Sequence, residues 1–123
     1  MSRARGELER VYRPGFSQDV KDLPTKNLQK IVIQRLVDVS KDRLSGIPLE
    51  GRASTGDLSD CFKLYVDEIG GPNPRYRLVF RLLPDGQDPV RLEAVAVGPR
   101  ESLAVYVTAA QRLGRLRGRL PRG

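Results

Sequence analysis

The chain has 123 residues, 39% of them hydrophobic and 30% charged, with 22 Lys and Arg against 15 Asp and Glu for a net charge of +7. That size and balance suit one soluble domain of modest core over residues 1–123, not a disordered chain. No His and a single Cys exclude a Cys/His zinc site, an internal disulfide, and Ser-His-Asp or Cys-His catalysis, so any general acid or base must be Lys, Tyr, Asp, Glu or that Cys.

Residues 1–8 are polar and expected to fray. Glu9–Phe16 suits a short strand carrying Val11 and Tyr12, closed by Pro14-Gly15. Ser17 reads as an N-cap for one or two helical turns over Gln18–Leu23, and Pro24 ends them. Thr25 is a second N-cap. Beyond it Leu28, Ile31, Val32, Leu36 and Val39 recur at spacings of three and four, which predicts an amphipathic helix of about 15 residues. Lys41–Gly56 has no period and four Gly or Pro positions, and reads as a loop. Cys61–Asp67 alternates, with Phe62, Leu64 and Val66 on one face and Cys61, Lys63 and Tyr65 on the other. After the turn cluster 70–74, Arg75–Leu83 alternates too: Tyr76, Leu78, Phe80 and Leu82 against Arg75, Arg77, Val79 and Arg81. Residues 84–89, with Asp85-Gly86, form a hairpin loop. Val90–Val97 is nearly continuous in apolar residues, as a central strand is. Arg100–Leu113 is a final helix with Leu103, Val107, Ala110 and Leu113 on its stripe, ended by Gly114. The order predicts an α+β fold: an antiparallel sheet of about four strands, covered on one face by an N-terminal helical hairpin and the C-terminal helix.

Charge is uneven along the chain. Residues 1–74 hold 12 basic and 11 acidic side chains, whereas residues 75–123 hold 10 basic, all Arg, and 4 acidic. Arg presents a planar fork of donors that matches phosphate oxygens, so a polyanion partner, above all nucleic acid, is the simplest functional reading. An Arg-rich solvated surface is the plain alternative. Strand alternation puts Lys63, Tyr65, Arg75, Arg77 and Arg81 on the sheet face away from the helices, a candidate anion site with only Asp67, Glu68 and Glu93 near enough to neutralise it. Arg100 follows the central strand at the start of the last helix, and Tyr106 lies on that helix at the edge of its apolar stripe. Cys61 reads as structural filler. No nucleotide-binding or metalloprotease motif is present, and no carboxylate pair suggests two-metal or glycosidase chemistry. The N-terminus lacks the apolar stretch of a signal peptide and no apolar run approaches the roughly 20 residues of a membrane span, so the expected setting is the cytoplasm with no membrane partner.

Four segments together resemble the RelE/ParE toxin superfamily of bacterial toxin–antitoxin pairs. They are Asp60-Cys61-Phe62-Lys63-Leu64, Tyr76-Arg77-Leu78-Val79-Phe80, Val95-Ala96-Val97-Gly98-Pro99-Arg100-Glu101 and Val105-Tyr106, spread over roughly residues 10–113. The resemblance implies the fold above and one of two activities. RelE-type members cut mRNA in the ribosomal A site; ParE-type members are non-catalytic growth inhibitors that bind DNA gyrase. In the RelE pattern the catalytic positions match Lys63, Arg77, Arg100 and Tyr106. Tyr65 stands where that pattern has a second lysine, and Phe80 where it has a tyrosine. The resemblance favours a metal-independent, ribosome-dependent mRNA endonuclease with no cofactor, with the ParE-like inhibitor of gyrase or another host protein as the alternative. It also implies a cognate antitoxin, the ribosome and mRNA as partners. Tyr65, Arg75, Arg81, Arg112 and Arg115 are the candidate RNA-binding residues; the tail Arg115–Arg122 either contacts phosphates or is disordered. In such chemistry Arg77 and Arg100 suit stabilisation of the phosphate charge, Tyr106 suits a base or an orienting group, and Lys63 suits an acid or a charge clamp.

Overall fold

The computed structural model describes residues 6–50, 56–85 and 88–115. Its elements run β1 (Glu9–Tyr12), α1 (Phe16–Lys21), α2 (Lys26–Ser40), β2 (Ile47–Pro48), β3 (Cys61–Val66), β4 (Tyr76–Leu83), β5 (Arg91–Pro99), a 3₁₀ turn (Glu101–Leu103) and α3 (Ala104–Arg112). The five strands form one sheet in the order β1-β5-β4-β3-β2. The α+β expectation holds, with two differences of detail. The sheet has five strands and is mixed, because the α1–α2 crossover and the strands after it return the chain so that β5 lies parallel to β1. A two-residue strand, β2, also forms inside the expected loop and pairs antiparallel with β3, Ile47 opposite Lys63. Two residues are too few to show an alternation.

The C-terminal helix lies on the other face of the sheet from the one expected. Leu64, Val66, Leu78, Phe80, Leu92 and Ala94 pack with Phe16, Leu28, Val32, Leu36 and Val39 of the helical hairpin. Cys61, Val79, Val95 and Ala96, mostly the alternate residues of the same strands, pack with Val105, Ala109 and Ala110 of α3. Alternate strand residues point to opposite faces, so the sheet is sandwiched. The supposedly open face is therefore covered at one end by α3 and left uncovered at the other. The near-continuous apolar run of β5 follows from this double burial. A bulge adds to it: Phe80 opposes Ala94 and Val79 opposes Ala96, which leaves Val95 without a partner on β4.

Several local expectations shift as well. α1 begins at Phe16, not beyond Ser17, because Gly15 at φ 97° turns the chain in front of it. A Cβ at Gly15 would stand 2.7 Å from the Arg112 guanidinium, which would have to shift to admit it; the positive φ is what calls for glycine here. Leu8 is buried and its N–H donates to Ser40 O, so the ordered chain starts earlier than the polar N-terminus suggests. Along α3 the buried stripe is Val105, Ala109 and Ala110; Leu103, at φ 57°, lies outside the helix and is exposed. Gly114, at φ 72°, follows the helix end as expected. Residues 1–5, 51–55, 86–87 and 116–123, on which parts of the expected N-terminal fraying, loops and basic tail fall, lie outside the described residues.

The α2 start is as expected. Thr25 Oγ1 accepts the Leu28 N–H at 3.0 Å and donates to Glu68 Oε1 at 2.8 Å. Thr25→Ala should cost about 1 kcal/mol of stability. Urea unfolding followed by circular dichroism checks this, and an unchanged midpoint would mean that the cap adds nothing here.

Candidate active site

The sheet end left open by α3 is a cleft of about 460 Å³ lined by Ile47, Pro48, Leu49, Glu50, Leu58, Lys63, Tyr65, Arg77, Arg100, Leu103 and Tyr106. Five of the residues singled out in the sequence meet here, brought by four stretches of backbone. β3 contributes Lys63 and Tyr65, two residues apart and so on one face. β4 contributes Arg77, directly opposite Tyr65 in the antiparallel register. The exit of β5 contributes Arg100, whose N–H donates to Arg75 O at 2.9 Å. α3 contributes Tyr106, whose half-buried ring packs against the Val105–Ala110 cluster.

Cations surround the Tyr65 ring. Arg77 Cζ lies 4.1 Å from its centroid and Lys63 Nζ 5.2 Å. Such contacts hold charged side chains in place without neutralising them. Arg77 is also held from behind, Nη1 donating to Pro74 O at 2.9 Å and to Tyr76 O at 3.1 Å. Among the described residues Lys63, Arg77 and Arg100 form no ion pair, so three cations face one cleft without a carboxylate on any of them. The site can therefore bind and stabilise an anion, with the Tyr106 phenol beside it.

The remaining cations of the sequence reading are engaged elsewhere. Arg75 is clasped by Asp67, with Nε–Oδ2 and Nη2–Oδ1 both 2.8 Å. Arg81 lies 2.6 Å from Glu93 and 3.6 Å from Asp60. Arg112 bonds Asp19 at 2.6 Å and Val95 O at 2.8 Å. Arg115 pairs with Asp60. Asp60, Asp67 and Glu93 thus neutralise the arginine-rich strand more fully than their number suggested. Asp60, which meets Arg81 and Arg115, and Asp19, which meets Arg112, come from segments that the strand pattern did not place beside these arginines. Hydrogen bonds from Arg115 hold the Asp60 carboxyl below its ordinary range. Burial pushes the Cys61 thiol up to about 12, which leaves it a packed thiol and no nucleophile.

Glu50 is the ionisable lining residue that the sequence did not single out. It follows β2, and nothing in its surroundings in sequence marks it. The one signal available was that a chain entering a sheet edge opposite Lys63 would carry its next residues along the same cleft.

No family model matches the chain, and no curated protein matches it. Solved structures do resemble it. An arginine-to-alanine double mutant of the Escherichia coli toxin RelE in the free state superposes with a TM-score of 0.63 at 21% identity, covering 87% of this chain and 98% of that one. The same mutant in complex with an antitoxin RelBc peptide gives a TM-score of 0.55 at 21% identity, covering 84% and 94%. The fold is thus a RelE-like fold over most of its length.

Proposed function

We propose that this protein is the toxin of a toxin–antitoxin pair, a cytoplasmic, metal-independent endonuclease that cuts mRNA in the ribosomal A site. The observation that carries the reading is the gathering of Lys63, Arg77, Arg100 and Tyr106 on one cleft with three unneutralised cations. The RelE-like fold supports it. Cleavage of RNA without a metal needs an attacking 2′-oxygen, charge stabilisation at phosphorus and a proton for the leaving oxygen. Tyr106 takes the 2′-OH proton or orients that hydroxyl, the 2′-oxygen bonds to phosphorus, and Arg77 and Arg100 bear the growing negative charge. Lys63 gives a proton to the departing 5′-oxygen. The products are a 2′,3′-cyclic phosphate and a free 5′-hydroxyl. Tyr65 holds Lys63 and Arg77 through its ring, in the place of a second lysine.

In this reading RNA enters the cleft, and Arg75, Arg81, Arg112 and Arg115 act through the fold, not through RNA phosphates. The neighbour solved with an antitoxin peptide supports a cognate antitoxin as the partner that silences the chain. The test is cleavage of mRNA on purified programmed ribosomes, with a ribosome-free control. Cleavage in the A-site codon only when ribosomes are present is the expected result. A folded protein that stops cell growth yet cleaves nothing would overturn the nuclease reading and point to a ParE-like inhibitor of gyrase or another host protein.

A further inference from the structure

The loop 67–75 between β3 and β4 lies outside the cleft, yet it holds two of the cleft's arginines. Asp67 follows the last residue of β3, and its carboxylate accepts four hydrogen bonds. Oδ2 takes the Arg75 backbone N–H at 3.0 Å and Arg75 Nε at 2.8 Å; Oδ1 takes Arg75 Nη2 at 2.8 Å and the Ile69 N–H at 3.2 Å. Side chain and backbone of one residue are thus fixed by one carboxylate. The two carbonyls flanking that N–H each accept a hydrogen bond from an arginine of the cleft. Pro74 O accepts Arg77 Nη1, and Arg75 O accepts the Arg100 N–H.

We infer that Asp67 is a positioning residue for the anion site: through Arg75 it fixes the Pro74 carbonyl that aims the Arg77 guanidinium and the Arg75 carbonyl that anchors the Arg100 backbone. This deepens the nuclease reading and rests on it for its catalytic consequence. With Nη1 held by two carbonyls, Arg77 keeps Nε and Nη2 for the phosphate, since neither has an acceptor among the described residues. A loosened loop lets the fork swing, and misplacement of a catalytic group by about 1 Å costs on the order of 10²-fold in rate. Arg75 bonds and Ile69 N–H together hold the Asp67 carboxyl well below the usual carboxylate range, so the clasp persists at any pH where the enzyme works.

The experiment compares Asp67→Ala, the near-isosteric Asp67→Asn and Arg75→Ala with the wild type. It has two readouts. One is kcat and KM on programmed ribosomes; the other is the ¹⁵N–¹H spectrum of the Arg77 guanidinium in the free protein. The expected result is a fall in kcat of about 10²-fold for Asp67→Ala at unchanged KM and near-unchanged melting temperature. Asp67→Asn falls in between, and Asp67→Ala with Arg75→Ala is no worse than either alone. The Arg77 signals, separate in the wild type, average in the variants. Glu68→Gln, in the same loop but bonded to Thr25 and Asn27, leaves both readouts unchanged. A kcat near wild type in Asp67→Ala, or a lost kcat with Arg77 signals unaltered, overturns the proposal. If the wild type itself cleaves nothing, the nuclease reading fails, and the spectra alone decide whether Asp67 holds Arg77.

Discussion

On the proposed nuclease function, replacing Tyr106 by Phe is expected to lower cleavage of mRNA on programmed ribosomes by about 10²–10⁴-fold and to leave thermal unfolding where it was. The change removes one oxygen. The ring keeps its place against the Val105–Ala110 cluster, because its packing is apolar, and its hydroxyl has no hydrogen-bond partner among the described residues to lose. What remains in the cleft is a set of three cations that still bind an anion but no longer have a phenol to manage the 2′-OH proton. Binding of the programmed ribosome is therefore expected to survive while the chemical step fails, so the loss falls on kcat and not on KM. Single-turnover cleavage beside ribosome co-sedimentation separates the two. Cleavage by Tyr106→Phe at the wild-type rate would remove Tyr106 from the mechanism and leave Lys63 or Glu50 as the proton-handling group. A variant that cleaves nothing yet arrests growth like the wild type would show that toxicity does not run through mRNA cleavage.

The elements that the sequence made legible are those with a long, one-sided period. α2 shows its stripe at Leu28, Val32, Leu36 and Val39 because only one face of it is buried, and Thr25 marks its start with a hydroxyl. β3 and β4 alternate where α3 leaves their second face uncovered, and that alternation correctly put Lys63, Tyr65 and Arg77 on one face; Cys61 and Val79 of the same strands are buried on the second face. What the pattern hid was the second layer. Of the buried α3 residues only Ala110 stood on the expected stripe; small Ala109 carries a weaker hydropathy signal than the Leu103 and Val107 that seemed to define it, and Val105 lies to one side of them. Long-range ion pairs were equally hidden. Asp19 and Arg112 are 93 residues apart and meet only because α1 and α3 flank the same bulge of β5, where Asp19 also accepts the Val97 N–H. Arg112 and Arg115 looked free because pairing across the fold leaves no mark on local spacing.

Those pairs make the second large effect one of stability. Arg13, Glu93, Arg81, Asp60 and Arg115 form a continuous chain of charge from β1 across β5 and β4 to the segment after α3. Its centre is Glu93, 9% exposed, with one oxygen on Arg81 at 2.6 Å and the other on Arg13 at 3.0 Å. Burial raises the Glu93 carboxyl pKa, but the hydrogen bonds from Arg81 and Arg13 outweigh it and hold the group below its ordinary 4.5. Glu93→Ala leaves Arg81, itself 17% exposed, without its nearest counter-ion, a change that costs about 3–5 kcal/mol where a buried pair is broken. Glu93→Gln keeps the shape and loses the charge, so it falls between Ala and wild type. The pH dependence follows from the direction of the shifts. Glu93 and Asp60 both bind protons more weakly folded than unfolded, so their contribution is complete above their ordinary values of 4.5 and 3.8. It is lost as pH falls through the lower folded values. Urea midpoints measured from pH 7 downward should hold level and then drop below about pH 4. Glu93→Gln should start lower and fall less steeply over that window. A Glu93→Gln protein that matches the wild type at pH 7, or that loses stability on acidification with the same slope, would show that the charge chain is a by-product of the fold and not one of its supports.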